Sequence, residues 1–467
     1  MSEQTVAQLL AEVASQVADT GLDRGLREDV ARRVLDVLGN SLAAADQPAA
    51  RAVTAVASAW GGSGHATAIA AGIRLPAPAA ALVNGTLAHS LDFDDTHLPS
   101  VLHPSSSVVP ASLAVAEAHG ASGLALLDAA GMGIEVTVRL GMGGYDRDLG
   151  NSVFFERGLH ATSICGAIGS AVSAAMLMGL DAKGITDAIG IAASMGAGLL
   201  EANRTGGTVK RMHCGWAAHS GVVAAELARA GLTGPPTVIE GRFGFLQAYC
   251  GERADVDAVT EGLGERWELP NIFFKPYPCN HFTHAGIDAA LQLRAAGVRP
   301  EEIVEIELGA PSPVLRTIAE PPEAKARPES GYHAAFSGPF TVAAALVGGG
   351  GLGVGHEDFT DEAARDEERL ALASKVRCVP DARCDEIFPN QFPAVLRVAL
   401  RDGTRREVRV DVNRGGPGNP LSADELAAKF RTNAERSLDD DAAGRVAAAA
   451  YALPDGGSVG DLMSLVG

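Results

Sequence analysis

Aromatic side chains are scarce, at 5% of 467 residues. That argues against an aromatic-rich sandwich core and against an aromatic-lined cavity for a carbocation. None of the six cysteines (Cys165, Cys214, Cys250, Cys279, Cys378, Cys384) forms a CxxC pair, so zinc-ribbon and the usual iron–sulfur spacings are missing. A chain this long has no need of disulfide staples, and scattered thiols suit a cytoplasmic protein. Basic charge is also short: 38 Lys and Arg face 57 Asp and Glu, a formal net charge of -19. Nucleic acid is therefore not an expected partner, because it needs a basic footprint. Long hydrophobic runs are missing too. The apolar stretch Leu124 to Met142 is broken by Asp128, Glu135 and Arg139, so no membrane span is expected. The start, MSEQTVAQLLAEVASQVADTG, is acidic and helix-patterned and lacks the basic and apolar regions of a signal peptide.

What is abundant is small. The chain holds 55 glycines and many alanines, which lets helix backbones approach closely. Residues 5–45 read as two amphipathic helices. In the second, Val30, Val34, Leu35, Val37 and Leu38 form the apolar face, with Arg and Asp opposite. HPSSSVVPASLAVAEAHG reads as a turn and then a helix closed by Gly120. SGLALLDAAGMGIEVTVRLG and HATSICGAIGSAVSAAMLMG are apolar all round, which marks core helices. No strand is expected before about residue 265. Beyond it, EEIVEIELGA alternates Val304, Ile306 and Leu308 with glutamates, as a half-buried strand does. PAVLRVALRDGTRREVRVDV reads as a hairpin about Asp-Gly, and FSGPFTVAAALVGGG as a buried helix. SADELAAKFRTNAERSL opens with the capping box Ser422 and Glu425. The expected fold is mainly α: a large helical part over 1–268, an inserted or appended α/β domain over 269–412, and a helical return over 413–467.

The stretch HSLDFDDTHLPSVLHPSSS gathers Asp92, Asp94, Asp95, His97 and His103. Such a run holds a metal, moves protons, or caps helices. A Mg²⁺ site normally works beside phosphates, and neither a GxxxxGK[ST] loop nor a second acidic cluster accompanies it. No metal is expected. Asp94, Asp95 and Thr96 are also plausible helix caps. For proton transfer, His103 is marked by Pro104, which keeps the backbone extended ahead of the next helix. Three further groups join it. His160 precedes a buried helix, near an N-terminus that favours anions. Lys210 and Arg211 follow the turn Gly206-Gly207, just before a core helix whose dipole offers cations nothing. Lys275 stands among Phe273, Phe274 and Tyr277 at the change of domain. Each has a plain structural alternative: a core-edge histidine, solvated surface charge, a snorkelling lysine. As a set at element ends they suit a small polyanionic substrate and acid/base chemistry.

Six segments then make the chain recognisable: HSLDFDDTH with HPSSSVVPASLAVAE, RGLHATSICGAIG, VKRMHCGWAAHSG, FFKPYPCNHFTHAGIDAA, AAFSGPFTVAAAL and GNPLSADELAAKF. In this order they resemble the MmgE/PrpD family over nearly the whole chain. The resemblance implies one large helical domain formed by both chain ends, with an α/β lid, a homodimer and no cofactor. By motif it points to Asp92, Thr96, His103, His160, Lys210 and Lys275, with His97 as the alternative imidazole to His103. Asn280 stands where the family's decarboxylases have a histidine, with His281 beside it, so Arg211, Asn280 and His281 join the substrate-binding candidates. The implied activity is a lyase acting on a di- or tricarboxylic acid through an enediolate. The leading expectation is a dehydration of the 2-methylcitrate type. The alternatives are a cis-aconitate-type decarboxylation or an epimerisation of the iminodisuccinate type. Outside the family stand a metal-dependent cyclase and a non-catalytic binding protein.

Overall fold

The computed structural model describes residues 4–62, 64–202 and 207–467. Helices dominate and the sheets are small, so the fold is mainly α. The chain divides into two compact units, Met1–Ile272 with Phe430–Gly467, and Phe273–Lys429.

The first unit is built on α1 (Val6–Thr20), α2 (Arg24–Ala43), α3 (Ala77–His89), α4 (Ser105–His119), α5 (Gly123–Met142), α6 (Ala161–Leu177), α7 (Ala182–Ala192) and α8 (His213–Arg229). Local chemistry sets the helix ends. Thr5 and Gln8 form a capping box on α1, and Asp23, Ser122 and Asp181 accept backbone N–H bonds at α2, α5 and α7. Gly120 ends α4 at φ 64°, a left-handed cap that glycine adopts without strain. The helices apolar all round, α3, α4 and α6, are buried along nearly their whole lengths.

Small residues let these helices touch. A Cβ added to Gly85 of α3 would stand 2.8 Å from the Cα of Gly215 in α8. One on Gly166 of α6 would overlap Ser107 of α4, and one on Gly221 of α8 would overlap Ser170 of α6. Among the described residues, no helix is long and apolar enough to cross a membrane.

Two expectations need correction here. Strands do occur before residue 265: β1 (Ala66–Ala68) pairs antiparallel with β2 (Ile73–Leu75), and β3 (Tyr145–Asp146) with β4 (Asn151–Ser152). At two or three residues they are too short for alternation to show. In α2, Arg33 and Asp36 are buried rather than solvated. Arg33 bonds Asp29, Asp95 and the carbonyls of Leu269 and Ile272, so its charge and all three nitrogens are satisfied inside.

The second unit is a four-stranded sheet in the order β6-β5-β7-β8, made of β5 (Ile303–Ala310), β6 (Val376–Pro380), β7 (Ala394–Leu400) and β8 (Arg405–Val410). β5 runs parallel to β6 and antiparallel to β7, and β7 and β8 form the expected hairpin. α9 (His284–Ala295) packs on β7, β8 and α10 (Gly338–Val347). The register of β5 shifts between Ile303 and Glu305, so Ile303 is buried while Val304 is 55% exposed. The expected inward face therefore holds only for Ile306 and Leu308. Residues 413–429 stay with this unit. Asn413 bonds His281, Arg414 bonds Tyr277, and Phe274 N–H donates to Gly415 O. α11 (Ala423–Ala434) opens on the Ser422–Glu425 capping box, and α12 (Asp440–Ala452) follows.

Candidate active site

Four helix ends of the first unit converge: the C-terminus of α3 and the N-termini of α4, α6 and α8. The glycine contacts between these helices bring the ends within side-chain reach. His89 closes α3, His103 precedes α4, His160 is the N-cap residue of α6, and His213 opens α8.

The acidic run separates into three carboxylates with three cations. Asp92 takes the left-handed conformation, φ 53°, which aspartate tolerates better than most residues. It accepts from Lys210 Nζ at 3.3 Å. Asp94 accepts from His89 Nδ1 at 2.8 Å, with both side chains buried. Asp95 accepts from Arg33 at 3.0 Å and from the backbone N–H and hydroxyl of Ser105. Asp95 is thus a cap for α4, as residue type alone allowed. Burial pushes its carboxyl up to about 6, against the pull of Arg33 and Ser105. The carboxylates are divided among cations rather than gathered about one point, so the run does not form a Mg²⁺ cradle.

The imidazoles do gather. The ring of His89 lies 5.6 Å from that of His103 and 5.4 Å from that of His160, and His160 is 5.1 Å from His213. His103 Nδ1 donates to the Asp95 carbonyl at 2.6 Å and lies 3.2 Å from Thr96 Oγ1. That bond holds a proton on Nδ1. The His103 N–H donates to Thr162, and the Ser106 hydroxyl reaches His103 O and Cys214 Sγ. His160 and His213 face each other, Nδ1 to Nδ1, at 3.0 Å. Burial lowers both, His160 well below the usual value and His213 to about 4, with Lys210 and His89 adding to the push.

The structure thus brings together Asp92, Thr96, His103, His160 and Lys210. It does not bring His97 to the same ring cluster. His97 Nδ1 bonds Ser100, its Nε2 lies 3.6 Å from Glu268, and burial keeps it below its ordinary value. Arg211 bonds Gln47 at 3.0 Å. Of the expected Gly206-Gly207 turn, Gly206 lies outside the described residues, and Gly207 has φ 100°.

Lys275, Asn280 and His281 belong to the second unit. Lys275 is buried. The Asn280 side chain accepts from Phe282 N–H, capping the short turn His281–Thr283. His281 Nε2 is 2.8 Å from Asn413 Nδ2, and its ring packs on Phe273 and Phe392.

Three residues of the cluster carry no role in the sequence reading, His89, His213 and Cys214, and Asp94 was read there only as a helix cap or part of an acidic run. His89 and His213 each stood inside a quoted motif, at the edge of an apolar helix pattern, and that position is the signal that finds them. His89, Asp94 and Cys214 bring donor atoms within 4.8 Å of one another. The bond between His89 and Asp94 makes this an ion pair, and a cation would have to displace its proton.

Comparison with known proteins matches the MmgE/PrpD N-terminal domain to residues 8–256 and the MmgE/PrpD C-terminal domain to residues 277–453. Cis-aconitate decarboxylase of Homo sapiens is 32% identical over 383 residues, covering 79% of this chain and 75% of its own. The cis-aconitate decarboxylase-like protein oryM of Aspergillus oryzae is 28% identical over 423 residues, 86% of this chain and 85% of its own. Cis-aconitate decarboxylase of Aspergillus terreus is 28% identical over 386 residues, 79% of this chain and 77% of its own. These relatives favour the decarboxylase alternative over the dehydration that the sequence reading put first. With both domains of the family matched in order along its length, the chain belongs to the MmgE/PrpD family.

Proposed function

We propose that the chain is a carboxy-lyase that removes CO₂ from a small unsaturated polycarboxylic acid of the cis-aconitate kind, by acid/base chemistry and without a cofactor. The observation that carries the reading is the meeting of His103 with the His160–His213 pair and the Lys210–Asp92 pair at four helix ends. The relatives named cis-aconitate decarboxylase support the choice among the family's reactions.

The chemistry asks for few parts. Breaking the C–CO₂ bond leaves an electron pair that becomes a new C=C when a double bond stands next to it. The former π pair then takes one proton at the far carbon, and charge passes through the neighbouring carboxylate as an enediolate. Preplaced donors lower that cost, and losing one such donor costs on the order of 10²–10³ in rate. In this scheme His103 Nε2 gives the proton, Lys210 holds a carboxylate, and His160 donates a hydrogen bond to one. Thr96 bonds a carboxylate and steadies the His103 ring, and Asp92 orients Lys210. A homodimer is proposed as the working form, which light scattering would check.

A panel of polycarboxylates incubated with the protein in D₂O, followed by NMR and CO₂ release, tests the assignment. CO₂ loss with one deuteron gained at carbon is the expected result. Loss of water without CO₂ would mean dehydration instead, the reading for which Asn280 in place of the decarboxylases' histidine leaves room. Deuterium exchange with inversion alone would mean epimerisation.

A further inference from the structure

His89 is not among the groups the carboxy-lyase scheme uses, yet it lies at the middle of the imidazole cluster. Its side chain is 1% exposed and that of Asp94 is 0%. One nitrogen bonds Asp94 at 2.8 Å, and the other, Nε2, is buried with no hydrogen-bond partner among the described residues. A group so sealed does not touch a substrate. It acts on its neighbours through its charge. Burial drives the proton off an imidazole, and Lys210 pushes the same way. Asp94, with Cys214 also contributing, more than offsets both and raises His89 to about 10.

The second observation is the contact between His160 and His213. Two Nδ1 atoms at 3.0 Å hold one proton between them. A second would set two N–H groups head to head, so the pair is neutral or singly charged. The groups that face it are His89 from the end of α3, His103 from the loop before α4, and Lys210 from the turn before α8. Lys210 is itself paired with Asp92.

We propose that the His89–Asp94 pair is a positioning device. It is a fixed, buried imidazolium that adds to burial and Lys210 in keeping the His160–His213 pair neutral, so that His213 Nδ1 donates to His160 Nδ1 and His160 Nε2–H is presented to an anionic substrate, while proton donation is left to His103. The kinetic half rests on the carboxy-lyase reading, and the electrostatic half does not.

The test uses the full chain with isotope-labelled histidine. NMR titrations would be assigned through His160→Gln and His213→Gln. His89→Gln removes the charge and keeps a donor toward Asp94. The double variant His89→Gln/Asp94→Asn also removes the carboxylate's charge, in case the single variant fails to fold. In the unaltered protein His213 is expected to titrate at about 4 and His160 well below its ordinary value. In either variant one of them is expected to titrate higher by about one pH unit or more. With a substrate that turns over, kcat is expected to fall about 10- to 100-fold, its acid limb moving up with the titration and KM changing little. Titrations unmoved in both variants would overturn the proposal. So would titrations that move while the kcat–pH profile stays put. If no acid in the panel turns over, the carboxy-lyase reading fails by itself, and the titration still decides the role of His89.

Discussion

A carboxylate's role in this protein depends on the cation toward which the backbone turns it. Asp92, Asp94 and Asp95 are near-neighbours in sequence, yet one meets Lys210, one His89 and one Arg33. The same holds for His97 and His103: the first is tied to Ser100 and faces Glu268, the second joins the ring cluster. Replacing His103 with Gln should lower kcat about 10²–10⁴-fold while circular dichroism and melting temperature stay close to the parent. Retained activity would remove His103 as the proton donor. Arg33 belongs to the scaffold. Arg33→Met leaves Asp95 buried without its guanidinium, and breaking such a pair costs about 3–5 kcal/mol. Urea unfolding should show the loss as a lower midpoint.

At the level of helices, function depends on how closely backbones approach. α3 and α8 cross where Gly85 meets Gly215, and that crossing carries His89 toward His213 and Cys214. A larger residue has no rotamer that clears a facing backbone. Gly215→Val should destabilise by about 1–3 kcal/mol from overpacking, read as a drop in melting temperature. It should also lower kcat, because the helix ends must part. Full activity in a stably folded Gly215→Val protein would show that the crossing does not set the site. A similar demand explains Gly198, where a Cβ would stand 3.1 Å from the His160 Cβ and 3.4 Å from His213 Nδ1. In the α/β unit the hairpin was legible from Asp402-Gly403, whereas the register of β5 was not. A shift of one residue leaves composition unchanged and turns Val304 outward.

For the molecule as a whole, the His89–Asp94 pair links stability to pH. The imidazole stands at about 10 in the fold against 6.5 as its ordinary value. Its contribution is therefore complete below about pH 6.5 and is lost as pH rises toward 10. Melting temperature should fall over that window, and His89→Gln/Asp94→Asn should lack that component of the fall. An unchanged slope in the variant would contradict the ion pair. Exhaustive chelation should leave turnover unaltered, and activity lost to a chelator and restored by a divalent ion would revive the metal reading.

Composition and local pattern determined the helical class, the helix ends at Gly120 and Ser422, the hairpin and the motifs that place the chain in its family. These depend on periodicity and on residues a few places apart, and both can be read along a line. Tertiary structure alone decided which carboxylate meets which cation and that Arg33 lies inside. It also decided that His89 and His213 join His103 and His160. Those contacts link residues as much as 239 positions apart, from Arg33 to Ile272. They exist because glycine-lined helices meet at their ends, and the energy of a buried charge depends on the neighbours that meeting supplies.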